Sequence, residues 1–299
     1  MVSVMVFGAA GMLGHALCRS LAASRFTPWA AVRTEWSQHP ILHGAVATDH
    51  AVSFCDVLDE ASVVGALERA SPDVVVNCVG MIKQRAEAAN AELSIAVNAL
   101  APHRLARLCD RIGAKLIQPG TDCVFSGNKG QYTEDDIPDP LDLYGRTKFL
   151  GEVTRAPHLT IRTSIIGWQL SGSEGLAEWF RSQRGKAAQG WTGAIFSGLT
   201  TYALADIIVR LIAQHPRLSG LHHVAAAPIS KFDLLSKLNS LNNFDIDLAK
   251  VEGLRIDRSL SGEKFSALTG IRSPGWDEML AAMALRRSDY DQAIAATCT

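Results

Sequence analysis

The 299-residue chain has no apolar run close to the ~20 residues that a membrane-spanning helix needs, so nothing in it reads as a span. It also lacks any cluster of basic residues: 29 lysines and arginines meet 30 acidic side chains, for a formal net charge of -1. That balance argues against a nucleic-acid or anionic-membrane surface and for a small-molecule partner. Cys-x-x-Cys spacing is absent. The six cysteines, at 18, 55, 78, 109, 123 and 298, lie mostly in apolar stretches, as reduced thiols of a cytoplasmic protein would, and imply neither a zinc site nor a disulfide frame. No metal is expected. The opening Met1 to Phe7 is short and without the basic flank of a signal peptide. Low-complexity segments and fixed-period repeats are missing as well.

What is present begins with that apolar opening, which reads as a buried strand. It runs into Gly8-Ala9-Ala10-Gly11-Met12-Leu13-Gly14 and then a helical pattern through about Ala23. A glycine cluster can be only a loop, but strand, glycine turn and helix in this order are the context a dinucleotide site requires. Gly8 permits the tight turn, Gly11 lets backbone approach a pyrophosphate, and Gly14 lets helix and strand pack closely. The helix start then offers unpaired N–H groups to phosphate.

Further strands are expected at Thr27 to Val32, Val52 to Cys55, Asp73 to Gly80, Lys115 to Pro119, Ile161 to Thr163 and Leu221 to Ala225, with helices at Glu60 to Ala70, Glu92 to Ile112 and Tyr202 to Gln214. The unbroken apolar run Val74-Val75-Val76 is what a strand buried on both faces looks like. The His-rich stretch 34–50 reads as a loop. Lys83, Gln84 and Arg85 follow a strand's carboxyl end, where ligands of open α/β sheets bind. Trp168, Trp179, Phe180 and Trp191 stand among Gly and Ser residues, the composition of a mobile pocket wall.

Tyr144 and Lys148 are four residues apart, on one face of a helix if the segment is helical. An ammonium beside a phenol lowers its pKa from about 10 toward neutrality and lets it pass a proton near physiological pH. A solvated helix face could show the same spacing by chance.

The G-x-x-G-x-x-G turn followed by Tyr-x-x-x-Lys resembles the extended short-chain dehydrogenase/reductase superfamily. Thr121-Asp122-Cys123-Val124-Phe125-Ser126-Gly127, Tyr132 to Asp136, Pro138, Pro140, Tyr144 to Lys148, Arg162-Thr163-Ser164, Gly198 to Tyr202 and Gly220 to Val224 narrow the likeness to the dTDP-4-dehydrorhamnose reductase group, over roughly residues 4 to 285. The resemblance implies an α/β fold, a Rossmann-like doubly wound parallel sheet with a smaller, partly interleaved C-terminal substrate lobe. Residues 1–165 and about 200–228 would form the dinucleotide domain, and about 166–199 and 229–299 the lobe. The activity implied is reduction of a nucleotide-linked 4-keto-6-deoxyhexose.

In that group's pattern Thr121, Tyr144 and Lys148 are catalytic. Gly8, Ala10, Gly11, Met12, Leu13 and Gly14 line the cofactor, joined by Asp56 and Val57 at adenine, Asn77, Cys78, Val79 and Gly80, and Asn98, Tyr144 and Lys148. Arg33, at the end of the second strand, suits the 2′-phosphate of NADPH, with NADH left open. Lys83, Asp122, Cys123, Arg162 and Arg258 are the implied substrate contacts, Arg258 by a charge-assisted fork to diphosphate.

The sequence departs from the group at Cys123, where an aromatic is usual, and at Leu199-Thr200, where Ser-Pro is usual. A cysteine two residues after the catalytic Thr also resembles GDP-fucose synthases, which leaves an epimerase-reductase open. So does a non-catalytic NADP-binding regulatory subunit, because methionine adenosyltransferase's regulatory subunit resembles the same group. A homodimer is compatible with the sequence but not written in it.

Overall fold

The computed structural model describes residues 1–82, 89–170, 172 and 174–297. Lys83, Gln84, Arg85 and Cys298 lie outside the described residues. The chain opens with β1 (Ser3–Phe7), α1 (Met12–Ala22), β2 (Thr27–Ala31) and β3 (Ala51–Val52), followed by α2 (Glu60–Ala70) and β4 (Val74–Asn77). Then come α3 (Ala91–Ile95), a π-helical turn over Ala96–Leu100, α4 (Ala101–Ile112), β5 (Lys115–Pro119), α5 (Leu143–Leu150) and β6 (Leu159–Arg162). A seventh strand, Gly220–His223, pairs with β6.

All seven strands are parallel and lie in the order Gly220–His223, β6, β5, β4, β1, β2, β3. The chain winds outward from β1 in one direction, returns to β4, and winds outward in the other. The crevice beyond the carboxyl ends of β1 and β4 is therefore the point at which the strand order reverses. Alternate residues supply the two faces: Val4, Val6, Val74 and Val76 pack with α1 and the helix Thr201–Gln214, while Met5, Phe7 and Val75 pack with α2 and α4. Both faces are covered, which is why these strands read as continuous apolar runs.

Several strand ends differ from expectation by one to three residues, β4 ending at Asn77, β6 running Leu159–Arg162 and the seventh strand Gly220–His223, and two differences have a clear cause. β3 ends at Val52 because Phe54 takes a left-handed φ of 56° and turns outward, which breaks the strand expected to Cys55. The helix expected over 92–112 contains the π-turn, and Asn98 sits inside it.

The smaller lobe joins distant segments. Ala187–Trp191 pairs with Asp247–Val251, and Ala194–Phe196 lies between Ile229–Ser230 and Ile256–Asp257. Trp168 and Phe180 do not form a mobile wall: both are fully buried against Phe244, and the Trp168 indole donates to the Met283 carbonyl at 3.0 Å. Trp179 keeps partial exposure. The C-terminal helix Arg287–Thr297 touches both parts: Asp291 pairs with Arg181 of the lobe at 2.8 Å, while Asp289 pairs with Arg19 of α1 at 2.7 Å and Tyr290 is buried. Among the described residues no helix is long and apolar enough to cross a membrane.

Candidate active site

The glycine turn is built by close approach. Gly8 has a φ of 72°, and a Cβ on Gly14 would lie 2.2 Å from the Gly8 carbonyl oxygen, so α1 can seat against the end of β1 only if position 14 has no side chain. Gly11 caps α1 without a side-chain bond, and no acidic residue stands in the first turn. The first N–H groups of α1 therefore have no capping side chain and face no fixed anion, a ready site for phosphate. Ala9 N donates to the Ala31 carbonyl at 3.2 Å, which ties the turn to the end of β2. Arg33 is exposed two residues beyond. The cradle fits a dinucleotide: its N–H donors and its missing Cβ atoms leave room for backbone to approach a pyrophosphate.

The next strand ends complete the groove. Gly8 packs on Cys78 and Val79. Asn77 donates from Nδ2 to Gln118 of β5 at 2.9 Å and accepts from Val79 N at 3.2 Å, which fixes the chain as it leaves β4. Asn98 holds the backbone at Met81 from both sides, accepting from its N–H at 2.9 Å and donating to its carbonyl at 3.0 Å, and also donates to the Thr147 hydroxyl of α5 at 3.2 Å. The π-turn aims this amide at the groove. Asp56 accepts from Leu58 N at 2.9 Å in a local turn, whereas Asp59 caps α2.

Thr121 and Tyr144 meet at the mouth. Helix α5 starts at Asp142, whose carboxylate accepts from Gly145 N at 2.7 Å. A Cβ on Gly145 would fall 2.2 Å from the Cys123 carbonyl oxygen, so α5 lies hard against the 3-10 turn Asp122–Val124. Thr121 lies close enough to the Tyr144 phenol to oppose part of the rise in its pKa. Thr121 Oγ1 accepts from Cys123 N at 3.1 Å and lies 3.3 Å from Asp122 Oδ1.

The electrostatics differ from the sequence expectation. Burial raises the Tyr144 phenol above its ordinary value, reinforced by Cys123, Asp122 and Asp142, with Thr121 pulling the other way. Lys148 does not acidify it. Its ammonium is buried, donates to the Pro119 carbonyl at 2.9 Å, and burial lowers its pKa to about 8. Lys148 also lies near the Cys78 thiol, beneath the groove between β4 and β5.

Of the expected substrate contacts, Asp122 is buried and its carboxyl is raised by burial, although Lys231 and Arg258 oppose the shift. Arg258 donates from Nε to the Phe125 carbonyl at 2.8 Å and brings Nη1 to 3.9 Å from Cys123 Sγ. Arg162 is put to another use. It is buried, its Nε and Nη2 grip Glu152 at 2.7 and 2.8 Å, and Nη1 meets His223, so its fork is taken by the protein itself. Lys231 was missed. It opens the helix Lys231–Asn242, lies 3.9 Å over the Phe196 ring and is close enough to act on Asp122. A cation at a helix amino terminus is electrostatically out of place, and that was the available signal.

The RmlD substrate binding domain family model matches residues 2–287. The chain is 28% identical over 306 residues to the probable low-salt glycan biosynthesis reductase Agl14 of Haloferax volcanii, covering 95% of this chain and 98% of that protein. It is 31% identical over 148 residues to methionine adenosyltransferase 2 subunit beta of Xenopus laevis, a match that spans 50% of this chain and 41% of that relative's length. Among solved structures, dTDP-4-dehydrorhamnose reductase from Bacillus anthracis in complex with NADP superposes with a TM-score of 0.77 at 21% identity, covering 96% of this chain and 99% of that one. That likeness establishes the fold.

The Arg162–Glu152 pair, with side chains 3% and 5% exposed, generates a stability prediction. Glu152→Gln leaves a buried guanidinium without its counter-charge and should cost about 3 kcal/mol. Urea denaturation measures it, and a loss below about 1 kcal/mol, the scale of an exposed pair, would contradict the buried-pair account.

Proposed function

The chain belongs to the RmlD substrate binding domain family, and on that premise we propose that it is an oxidoreductase using NADPH to reduce the 4-keto carbon of a nucleotide-linked 6-deoxyhexose. The observation that carries this reading is the close seating of α5 on the Asp122–Val124 turn capped by Thr121, which brings Tyr144 to Thr121 beside a groove floored by Gly8, Cys78 and Lys148. Bound there, NADPH supplies the hydride.

The chain's own residues do the rest. The first N–H groups of α1 hold the pyrophosphate, Asp56 and Val57 border the adenine, and Lys148 holds the nicotinamide ribose. Thr121 and Tyr144 direct their hydroxyls to the ketone oxygen, where negative charge develops. Arg258 and Lys231 flank the Asp122–Cys123 turn and suit the diphosphate of the sugar nucleotide.

With its pKa raised, the Tyr144 phenol keeps its proton at physiological pH, the state in which it can donate to an alkoxide as it forms.

The partial match to methionine adenosyltransferase 2 subunit beta favours a second reading, a nucleotide-binding partner without turnover. The placing of Tyr144 against the turn that Thr121 caps supports catalysis instead. Incubation of the protein with NADPH and dTDP-, GDP- and UDP-linked 4-keto-6-deoxyhexoses separates the two, with binding but no consumption across the panel supporting the partner role.

Tyr144→Phe should lower kcat by about 10²- to 10⁴-fold, the usual worth of a positioned acid, with the dinucleotide Kd within about twofold. Unchanged turnover would refute the assignment. Lys148 is cationic below its pKa of about 8 and neutral above it, so kcat/KM for NADPH, which reports the free enzyme, should fall as pH rises through about 8. Lys148→Arg keeps its charge at every such pH and should abolish that alkaline limb. Arg33→Glu should reverse the preference for NADPH over NADH, read as the ratio of the two kcat/KM values, because a carboxylate repels the 2′-phosphate.

A further inference from the structure

Behind the glycine turn lies a buried polar chain that the reaction does not use. His15, on the second turn of α1, is wholly buried. Its Nδ1 is 2.7 Å from the Gly11 carbonyl oxygen, which also accepts from the His15 backbone N–H at 3.1 Å. On the other side its Nε2 is hydrogen-bonded to the Tyr290 hydroxyl, and the two rings meet edge to face with centroids 5.0 Å apart. Tyr290 belongs to the C-terminal helix Arg287–Thr297. That helix is clamped at both neighbouring positions, Asp289 to Arg19 of α1 at 2.7 Å and Asp291 to Arg181 of the lobe at 2.8 Å.

The partners determine the direction of each hydrogen bond. A carbonyl oxygen only accepts, so Nδ1 must carry a proton. Burial depresses the imidazole's pKa to about 4, and His15 is neutral at physiological pH. Nε2 then has only a lone pair, and the Tyr290 hydroxyl donates to it. The tyrosine thus selects the tautomer in which the imidazole can hold the Gly11 carbonyl. Without that donor the ring could move its proton to Nε2, and Nδ1 would turn a lone pair toward the carbonyl oxygen.

The Gly11 carbonyl and the Met12 N–H share one planar trans peptide and point in opposite directions. A bond that holds the carbonyl down the helix aims the N–H out of its first turn. Gly11 has no side chain with which to cap α1, so this orientation is not set by the cap residue. We infer that His15 is a positioning residue for the dinucleotide, and that the C-terminal helix, through Tyr290, holds the Gly11–Met12 peptide in the orientation that receives the pyrophosphate. The inference rests on the glycine turn being a dinucleotide site, as proposed above.

The test uses the full chain and Tyr290→Phe, which deletes one oxygen and leaves the packing ring. NADPH Kd by fluorescence titration should rise about three- to tenfold, the worth of one buried hydrogen bond, while kcat at saturating NADPH stays within about twofold. His15→Ala should raise Kd at least as much, and His15→Asn should recover most of the loss, because its amide nitrogen can donate to the Gly11 carbonyl. Nitrogen NMR should find His15 as the Nδ1–H tautomer in the native protein, with the Nε2–H form appearing in Tyr290→Phe. If Tyr290→Phe and His15→Ala lower the melting temperature but leave Kd unchanged, the pair is packing alone and the inference is overturned. If the native protein binds neither NADPH nor NADH, the dinucleotide reading falls and takes this one with it.

Discussion

The close seating of α1 on the end of β1, possible because Gly14 lies beneath the Gly8 carbonyl, is the constraint from which the rest follows. It brings the unpaired N–H groups of the helix start to the place where β1 and β4 part company in winding direction, and there the groove forms. Cys78 and Val79 pack against Gly8 from the β4 side. Lys148 reaches in from α5 to the Pro119 carbonyl at the end of β5 and toward Cys78 after β4, so the pair Tyr144 and Lys148 is delivered to the same crevice by a helix packed on the π-helical turn and the Asp122–Val124 turn. A second contact of the same kind, Gly145 on the Cys123 carbonyl, brings Tyr144 to Thr121.

Burial, not pairwise attraction, determines the charge states at the mouth. The sequence spacing suggested an ammonium acidifying a phenol, but Lys148 spends its bond on the Pro119 carbonyl, and both groups move toward their neutral forms. Desolvation acts on each separately, because a charged group loses more on leaving water than a neutral one. The result is a loaded proton donor beside a lysine near its midpoint, an arrangement suited to delivering a proton.

The fold was legible because its strands are buried on both faces and helices α1, α2 and α4 carry clear apolar periodicity, with Lys115–Pro119 and Glu60–Ala70 falling at the expected bounds. β3 was misjudged, since Phe54 is a good strand residue by type and only its left-handed φ shows the turn. The glycine turn and the Thr121, Tyr144, Lys148 spacing were legible as local patterns. Arg162 was not, because an arginine at a strand end says nothing of a glutamate ten residues earlier that takes its Nε and Nη2. Nor could spacing reveal the approach of Lys231 to Asp122, 109 positions away, or the return of Tyr290 to His15, 275 positions away.

The Glu152–Arg162 pair shows how a structural contact also tunes the site. Arg162 lies in β6 and Glu152 just past α5, so the pair anchors the carboxyl end of the helix that carries Tyr144 and Lys148. Glu152 raises the Lys148 pKa against the larger effect of burial. Its carboxylate therefore keeps Lys148 more cationic than its surroundings alone would allow. Arg162, by gripping that carboxylate at 2.7 and 2.8 Å, fixes its place relative to Lys148, and so bears on the chemistry through a neighbour.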